Sequence, residues 1–190
     1  MRMWKATLAA VGGATIIAGA VFLNGSARAA MQPGDAAPDF STQAAVGGKV
    51  FTFSLAEALK KGPVVLYFYP KSFTPGCTAE AHDFADNAEN FAKAGASVIG
   101  VSADGIDTQK EFSSKACRDK FPVGADPDGK VIKAYKAQLI KVGDMATAAR
   151  ISYVIAPDGK ILMAYQDMSA GPHVEKTLAA VRQWRADHPN

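Results

Sequence analysis

A short, continuous apolar run lies in the middle of the chain, Val64-Val-Leu-Tyr-Phe-Tyr69, and it restricts the possible architectures more than any other segment. It is rich in β-branched and aromatic residues and ends at Pro70, which has no N–H to donate to a neighbouring strand. A strand without polar alternation has no face suited to water, so both of its faces must be covered. The run therefore predicts a central strand in a sheet that carries helices on both sides.

Strand and helix patterns alternate around this run. Apolar residues spaced by three and four predict a helix from Cys77 to Lys93, and Ala96-Ser-Val-Ile-Gly-Val-Ser102 predicts a second buried strand. Further strands are expected at 49–54, 121–126, 151–156 and 160–165, and further helices at 55–61, 108–115, 130–136 and 173–186. This order predicts the α/β class, with a central mixed β-sheet flanked by helices on both faces, in a single domain spanning residues 30–190.

The first 29 residues have the layout of a secretory signal peptide. A short basic segment precedes the uncharged, largely apolar run from Ala6 to Leu23, and Ala27-Arg28-Ala29 provides the small residues of a cleavage site. Cleavage after Ala29 predicts a periplasmic protein without a membrane segment. The alternative is an uncleaved N-terminal helix that anchors the protein, because a run of about 18 apolar residues is marginally enough to span a bilayer.

The charge distribution argues against nucleic acid as a partner. Three of the 21 basic residues, Arg2, Lys5 and Arg28, lie before residue 30, which leaves 18 basic residues against 18 acidic ones. Such a balance predicts no basic surface for nucleic acid or for an anionic membrane. His173 and His188 lack partners at metal-ligand spacing, and the glycine-rich segments lack a phosphate-binding pattern, so neither a metal nor a nucleotide cofactor is expected.

The segment between the buried strand and the helix contains the candidate nucleophile, Cys77. In the first turn of a helix, a cysteine faces unpaired backbone N–H groups and a partial positive charge of roughly half a unit, and both stabilise a thiolate. The carboxyl end of a sheet strand is also where α/β folds place their sites. Thr74 can offer its hydroxyl to the sulfur or to an incoming oxygen, and Pro70 stiffens the approach and shapes the site.

The pattern Pro70-x-x-x-Thr74-x-x-Cys77 resembles the active-site motif of the peroxiredoxins. The longer segment Phe68-Tyr-Pro-Lys-x-Phe-Thr-Pro-Gly-Cys-Thr-x-Glu80 is similar to the subgroup called bacterioferritin comigratory protein or peroxiredoxin Q. Similar blocks follow at 121–122, 126–130 and 150–159, so the resemblance covers the chain from about Pro33 onward. It implies a thioredoxin-like fold and a peroxidase that needs no bound cofactor.

The resemblance also implies a mechanism. Cys77 would attack the peroxide O–O bond, release water or an alcohol and become a sulfenic acid, while Thr74 would hold the sulfur and the substrate oxygen in line. Arg150 would stabilise the thiolate and the charge on the leaving oxygen, although from the residues alone a solvated arginine before a strand is equally expected. Glu80 would orient Arg150, although a glutamate in the first turn of a helix is also ordinary capping.

The second cysteine, Cys117, is where the sequence departs from the subgroup. Many members have a resolving cysteine five residues after the peroxidatic one, but here that position is His82, about 500° around the helix from Cys77. A second branch of the subgroup resolves through a cysteine in the second helix, so the resemblance implies that Cys117 is the resolving cysteine, after local unfolding brings the sulfurs together. Its basic flank, Lys115 and Arg118, favours a reactive thiolate. A structural disulfide, an inert free cysteine and a one-cysteine enzyme resolved by an external thiol are the alternatives.

The expected partners are a peroxide, either hydrogen peroxide or an organic hydroperoxide, and a thioredoxin-like or other thiol reductant. Because the subgroup is often monomeric, we expect a monomer. Two other functions on the same fold stay open. A thiol–disulfide oxidoreductase normally uses Cys-x-x-Cys, whereas Cys77-Thr-Ala-Glu80 lacks the second cysteine. A redox-sensing or holdase protein is compatible with the sequence, but the set of Thr74, Cys77 and Arg150 favours catalysis.

Overall fold

A computed structural model describes residues 30–142 and 145–189 of the chain. The predicted signal peptide, residues 1–29, lies outside the described residues, so its cleavage stays a prediction. Within the two described ranges, every helix is too short or too polar to cross a bilayer.

Strands and helices follow one another along the described residues. The strands are β1 Ser41–Val46, β2 Lys49–Ser54, β3 Val64–Phe68, β4 Ser97–Ser102, β5 Val123–Ala125, β6 Gln138–Val142, β7 Met145–Ala148, β8 Ile151–Ile155 and β9 Ile161–Gln166. The helices are α1 Leu55–Leu59, α2 Pro75–Asp86, α3 Ala88–Lys93, α4 Ile106–Lys115, α5 Lys130–Ala134 and α6 Gly171–Asp187.

The main sheet is mixed, and among the described residues it contains seven strands in the order β2-β1-β5-β4-β3-β8-β9. Strand β3 lies near its centre, parallel to β4 and antiparallel to β8. β4 and β5 are also parallel, whereas β1 with β2 and β8 with β9 form antiparallel pairs. β6 and β7 form a separate hairpin. The predicted mixed sheet with a buried central strand is thus confirmed.

The two faces of β3 pack against two different hydrophobic clusters. Val64, Leu66 and Phe68 face a cluster that includes residues of α1 and α5. Val65 and Tyr67 face the opposite cluster, which includes residues of α2, α3, α4 and α6. All five side chains are fully buried, and burying each large apolar one contributes about 1.5–3 kcal/mol to folding. Helices therefore cover both faces of the sheet, which confirms the predicted α/β class.

The long helix that the sequence predicts from Cys77 to Lys93 is divided in two, so this prediction is wrong in detail. The helices α2 and α3 meet at Asn87, whose side-chain amide donates to the carbonyl of Asp83 at 3.0 Å. The apolar periodicity does not reveal the break, because Phe84 and Phe91 still pack together with their ring centroids 5.9 Å apart.

The sequence patterns do not predict strand β1 or the β6–β7 hairpin, which the structure contains. Ser41-Thr-Gln-Ala-Ala-Val46 has no apolar alternation, and its buried side chains are the small residues Ala44 and Ala45. The segment is extended because it pairs with β2 on one side and with β5 on the other. Long-range pairing, rather than local pattern, therefore defines this strand.

The connection between β3 and α2, residues 69–74, lies at the carboxyl end of the parallel strands β3 and β4. Strand β8 runs in the opposite direction, so its first residue, Ile151, pairs with Phe68, the last residue of β3. Residues that precede β8 therefore reach the same edge of the sheet as the β3–α2 connection.

Candidate active site

Cys77 lies in the first turn of α2, which begins at Pro75, and only 2% of the residue is exposed. Proline is suited to the first position of a helix because the N–H that it lacks would have no intrahelical partner. Cys77 therefore lies at the positive end of the helix dipole, in the turn whose amides have no intrahelical partner. This is the position that the sequence predicts for Cys77.

Arg150 enters the site from the residue before β8 and contacts three groups. Its Nη2 donates to Cys77 Sγ at 3.5 Å, its Nη1 donates to Glu80 Oε2, and its Nε donates to the carbonyl of Met168 at 3.1 Å. Arg150 is buried. The alternative that the residues alone left open, a solvated arginine before a strand, is therefore wrong. The three contacts hold the guanidinium plane against the sulfur.

Glu80 is fully buried on α2, three residues beyond Cys77, so it lies on the same helical face. Burial raises the pKa of Glu80 to about 8, because the carboxylate loses its water, and the Arg150 guanidinium opposes part of that rise. Burial alone would lower the pKa of Arg150, but the charges of Glu80 and Cys77 outweigh it and raise the pKa. Arg150 therefore stays protonated beside the sulfur.

A buried histidine of α6, His173, stands behind Glu80. Its Nε2 lies 2.9 Å from the carbonyl oxygen of Asp167, and because a carbonyl only accepts, Nε2 carries a hydrogen. Its Nδ1 lies 2.8 Å from Ser152 Oγ and 3.8 Å from Glu80 Oε1. Among the described residues, Glu80 Oε1 has no hydrogen-bond partner, although the atom is buried.

Sequence reasoning considered His173 only as a metal ligand and missed this position. No local pattern points to it, because His173 is an isolated histidine at the start of the last helix. The prediction also missed the Asp167–Met168 segment, whose backbone carbonyls accept hydrogen bonds from His173 and from Arg150 respectively. Backbone carbonyls carry no sequence signature.

Thr74 occupies the N-cap position of α2 with extended backbone. Its hydroxyl donates to the carbonyl of Lys71 at 3.0 Å, so a contact with the sulfur or the substrate requires the hydroxyl to turn. The preceding residue, Phe73, has a φ of 64° and packs its ring edge-on against Phe112 at 5.2 Å. Pro70 lies two residues after the end of β3 and is half-buried near the start of this loop.

A buried polar network fastens the same loop to α4. The Tyr69 hydroxyl donates to Gln109 Oε1 at 2.8 Å, and Gln109 Nε2 donates to Ser102 Oγ at 2.8 Å. Ser102 in turn donates to Asp104 Oδ2, which also accepts the backbone N–H of Ser72 at 2.7 Å. Buried polar groups need such partners, so the network restricts the conformation of the loop before Cys77.

Cys117 is fully buried just beyond α4, where its N–H donates to the carbonyl of Phe112 at 3.0 Å. Burial raises the pKa of the Cys117 thiol, and the charge of Asp119 adds to the rise. The reactive thiolate that the basic flank predicts is therefore wrong for this conformation. The flanking charges point to solvent, where Arg118 pairs with Asp86 at 2.5 Å. Both cysteines are free thiols.

The remaining histidines lie outside this arrangement. His82 is half-buried on α2, and His188 stacks on Trp184 with ring centroids 4.6 Å apart. In the described ranges, no group of three or more histidine, cysteine, aspartate or glutamate side chains is arranged to hold a metal ion.

Comparisons with known proteins identify a matching family, similar proteins and similar solved structures. Residues 33–164 match the AhpC/TSA family. The chain is 34% identical over 154 residues to a putative peroxiredoxin bcp of Helicobacter pylori (strain J99), covering 80% of this chain and 98% of the relative. The crystal structure of peroxidoxin BcpB from Mycobacterium tuberculosis is similar with a TM-score of 0.74 at 34% identity, over 80% of this chain and 97% of that one. Peroxiredoxin Q of Xanthomonas campestris is similar with a TM-score of 0.65 at 29% identity, over 74% and 89%.

Proposed function

The chain belongs to the AhpC/TSA family and is a thiol-dependent peroxidase of the peroxiredoxin kind, and on that premise we propose that Cys77 is the thiol that attacks peroxide. The observation that carries this assignment is the contact between Arg150 Nη2 and Cys77 Sγ at 3.5 Å. A permanent cation beside a cysteine at a helix N-terminus favours the thiolate, which is the nucleophilic form.

In the proposed reaction, the Cys77 thiolate attacks one oxygen of the peroxide and the O–O bond breaks. The sulfur keeps that oxygen as a sulfenic acid, and the other oxygen leaves as hydroxide or alkoxide and takes up a proton to become water or an alcohol. The Arg150 guanidinium faces the reacting atoms, so it stabilises the negative charge as that charge moves from sulfur to oxygen. Thr74, at the start of the same helix, turns its hydroxyl towards the substrate oxygen.

We assign the resolving role to Cys117. Its thiol would attack the Cys77 sulfenic acid, so that a disulfide forms and one water leaves, and an external thiol reductant of the thioredoxin type would restore both cysteines. Because Cys117 is fully buried and its pKa is raised, this step requires the segment after α4 to open first.

The backbone after Cys117 supports such an opening. Arg118 and Asp119 are consecutive non-glycine residues with positive φ, 50° and 60°. Left-handed backbone costs about 1 kcal/mol or more per such residue, so opening of this turn would release strain. The Arg118–Asp86 ion pair that joins it to α2 is exposed and contributes at most about 1 kcal/mol.

Hydrogen peroxide and organic hydroperoxides are both proposed substrates. Phe73 is 46% exposed in the loop before Cys77, so an apolar substituent on the peroxide has a surface to contact. We further propose that the mature protein is a periplasmic monomer that begins at Ala30. N-terminal sequencing of the periplasmic fraction and sedimentation analysis test these two points directly.

The decisive experiment is the intact mass of the reduced mature protein after one equivalent of hydrogen peroxide. A loss of two hydrogens, with both cysteines then resistant to alkylation, is the expected result and supports Cys117 as the resolving thiol. A gain of oxygen on Cys77 while Cys117 still alkylates would overturn that role and leave a one-cysteine enzyme.

Matched variants separate the two cysteines. Cys77→Ser should abolish peroxide consumption, whereas Cys117→Ser should still form the sulfenic acid, which a dimedone probe captures. Unchanged peroxide consumption by Cys77→Ser would refute the assignment of the attacking thiol. Reduction of insulin disulfides by the wild-type protein at a rate comparable to its peroxide consumption would instead favour a thiol–disulfide oxidoreductase.

A further inference from the structure

The connection between β9 and α6, residues 167–170, carries a carbonyl that reaches the proposed active site. The carbonyl oxygen of Met168 accepts a hydrogen bond from Arg150 Nε at 3.1 Å. The side chain of Met168 is 57% exposed, and Asp167 and Ser169 are exposed as well, so this connection runs over the surface. Exposed connections are usually the more mobile parts of a fold. A carbonyl that orients a buried guanidinium therefore needs a group that holds its backbone in place.

His173, in the first turn of α6, is that group. Its Nε2 lies 2.9 Å from the carbonyl oxygen of Asp167, the residue next to Met168. A carbonyl oxygen only accepts, so Nε2 is the donor whether the ring is neutral or protonated. The imidazole is fully buried, so water does not compete for this hydrogen bond from the side of the ring. The side chain of His173 therefore ties the exposed connection to the core.

The ring of His173 is itself fixed by β8 and β9. Nδ1 lies 2.8 Å from Ser152 Oγ, and Tyr165 packs against the ring with centroids 4.8 Å apart. Ser152 follows Arg150 by two residues, so their side chains project from the same face of the sheet. The segment that carries Arg150 therefore also fixes, through Ser152 and His173, the connection whose carbonyl Arg150 contacts.

The shape of the guanidinium explains why the place of this carbonyl matters. A guanidinium is planar and rigid, so holding two of its nitrogens determines where the third one points. Nη1 of Arg150 donates to Glu80, and Nε donates to the Met168 carbonyl. These two contacts direct Nη2 at Cys77 Sγ, at 3.5 Å. If the carbonyl moved away, the plane would be free to turn about its contact with Glu80, and Nη2 would leave the sulfur.

We propose that His173 is a positioning residue for Arg150. It holds the Asp167 carbonyl, so that the adjoining Met168 carbonyl keeps the guanidinium turned towards the Cys77 sulfur. His173 thus acts on the thiolate through the backbone of the connection and through Arg150. This inference rests on the proposed role of Cys77, but its readouts are cysteine alkylation and the hydrogen exchange of two side chains rather than peroxide turnover.

Two amide substitutions separate the two hydrogen bonds of the His173 ring. The terminal amide of glutamine reaches about as far as Nε2, so His173→Gln can still donate to the Asp167 carbonyl. The amide of asparagine takes the place of Nδ1, so His173→Asn keeps a partner for Ser152 but does not reach Asp167. Both variants lose the ring and its packing against Tyr165. A difference between them therefore reports the link to Asp167.

The first readout is the pH profile of iodoacetamide alkylation, with Cys117→Ser as the background, which leaves Cys77 as the one cysteine of the chain. We expect His173→Asn to move the profile up by about one pH unit, because the thiolate loses a charged donor, so that alkylation below the midpoint becomes about tenfold slower. His173→Gln should recover most of the shift. Equal profiles for the two variants overturn the proposal.

Two controls make the result specific. Val181→Ala removes buried volume from the same helix, two turns beyond His173, and should lower the free energy of unfolding without moving the profile. With Arg150→Gln as the background, His173→Asn should no longer shift the profile, because both residues act on the sulfur through one guanidinium. A full shift in that background would show that His173 acts by another route and would refute the proposal.

Nitrogen–proton NMR on the unaltered protein decides the question even if a His173 variant fails to fold. The Nε–H of Arg150 and the Nε2–H of His173 should be protected from hydrogen exchange to a similar degree, because one opening of the connection exposes both. An unprotected Arg150 Nε–H beside a protected His173 would overturn the proposal. If the protection is shared but Cys77→Ser still consumes peroxide, the proposed function fails while the positioning role stands.

Discussion

Arg150 Nη2 lies 3.5 Å from Cys77 Sγ, although the two residues are 73 positions apart in the chain. The contact arises because β8 pairs antiparallel with β3, which brings the residue before β8 beside the loop that follows β3. Glu80, close to one turn beyond Cys77 on α2, binds another nitrogen of the same guanidinium. One helix therefore presents both the proposed nucleophile and the carboxyl that holds the neighbouring guanidinium.

Arg150→Lys tests the three-way guanidinium contact. Lysine keeps the positive charge for Glu80, but a single ammonium cannot contact Glu80, Cys77 and the Met168 carbonyl together. We expect the second-order rate constant for peroxide to fall about 10²-fold, in the range found when one preorganised donor is removed. Stopped-flow peroxide kinetics measure the effect, and the exposed Arg182→Lys on α6 is the control. A change of less than twofold would contradict the role of the guanidinium.

Gly76→Ala tests the position of Arg150 without altering any polar group. A Cβ at Gly76 would lie 3.3 Å from Arg150 Nη2, and that guanidinium is held by two further contacts, so it cannot yield freely. Displacement of Nη2 from the sulfur should slow peroxide reduction about tenfold or more.

The matched control for this change is Gly171→Ala in the first turn of α6, where a Cβ would meet no atom of the described part of the chain within 4 Å. Both variants should keep the urea midpoint of the wild-type protein. If the two variants reduce peroxide at the same rate, the proximity of Gly76 to Arg150 has no consequence for the reaction.

The pH dependence of stability should report the buried Glu80. Burial raises its pKa from 4.5 to about 8, so above pH 4.5 the unfolded chain loses this proton while the folded protein keeps it. The contribution of Glu80 to the free energy of unfolding is therefore present at low pH and is lost as the pH rises through 8.

The window from pH 6.5 to pH 8 isolates this effect, because His173, whose pKa is lowered from 6.5, opposes it below that range. We expect urea unfolding to show that the wild-type protein loses about 1–2 kcal/mol over this window relative to Glu80→Gln. The exposed Glu89→Gln should retain the wild-type slope. Equal slopes for wild type and Glu80→Gln would mean that Glu80 is ionised throughout.

Gln109→Leu tests the network that holds the loop before Cys77. Leucine fills a similar space but removes the buried hydrogen bonds that Gln109 makes with the Tyr69 hydroxyl, with Ser102 and with the carbonyl of Gly124. The free energy of unfolding should fall by about 2–4 kcal/mol, as expected for the loss of three buried hydrogen bonds. Urea denaturation measures the loss, and Gln183→Leu on the exposed side of α6 should stay within about 0.5 kcal/mol of the wild type.

The buried strand and the place of Cys77 follow from patterns that extend over a few residues. Val64 to Phe68 is apolar at every position, and Pro75 starts the helix two residues before Cys77. Such patterns predict the folded structure correctly because they reflect local backbone preferences and the exclusion of water from apolar side chains. The same local reasoning missed β1, which has weak patterning and depends on pairing with β2 and β5.

Cys117 shows how tertiary structure reverses a local expectation. Lys115 and Arg118 flank it in the sequence, but both pair with carboxylates at the surface while the thiol turns into the core. Desolvation then raises the pKa of the thiol, and the charge of Asp119 adds to the rise. Whether a charge influences a side chain depends on distance and burial in the folded state, not on separation along the chain.

From the sequence alone, the α/β class, the central buried strand and the location of Cys77 at a helix start could be derived, because hydrophobic periodicity and proline geometry act locally. Only the tertiary structure decided that Arg150 is buried against Cys77, that one oxygen of Glu80 has no hydrogen-bond partner among the described residues, and that His173 lies behind it. These relationships join β8, α2 and α6, and they exist only once the sheet order and the helix packing have removed water from between segments that are distant in the chain.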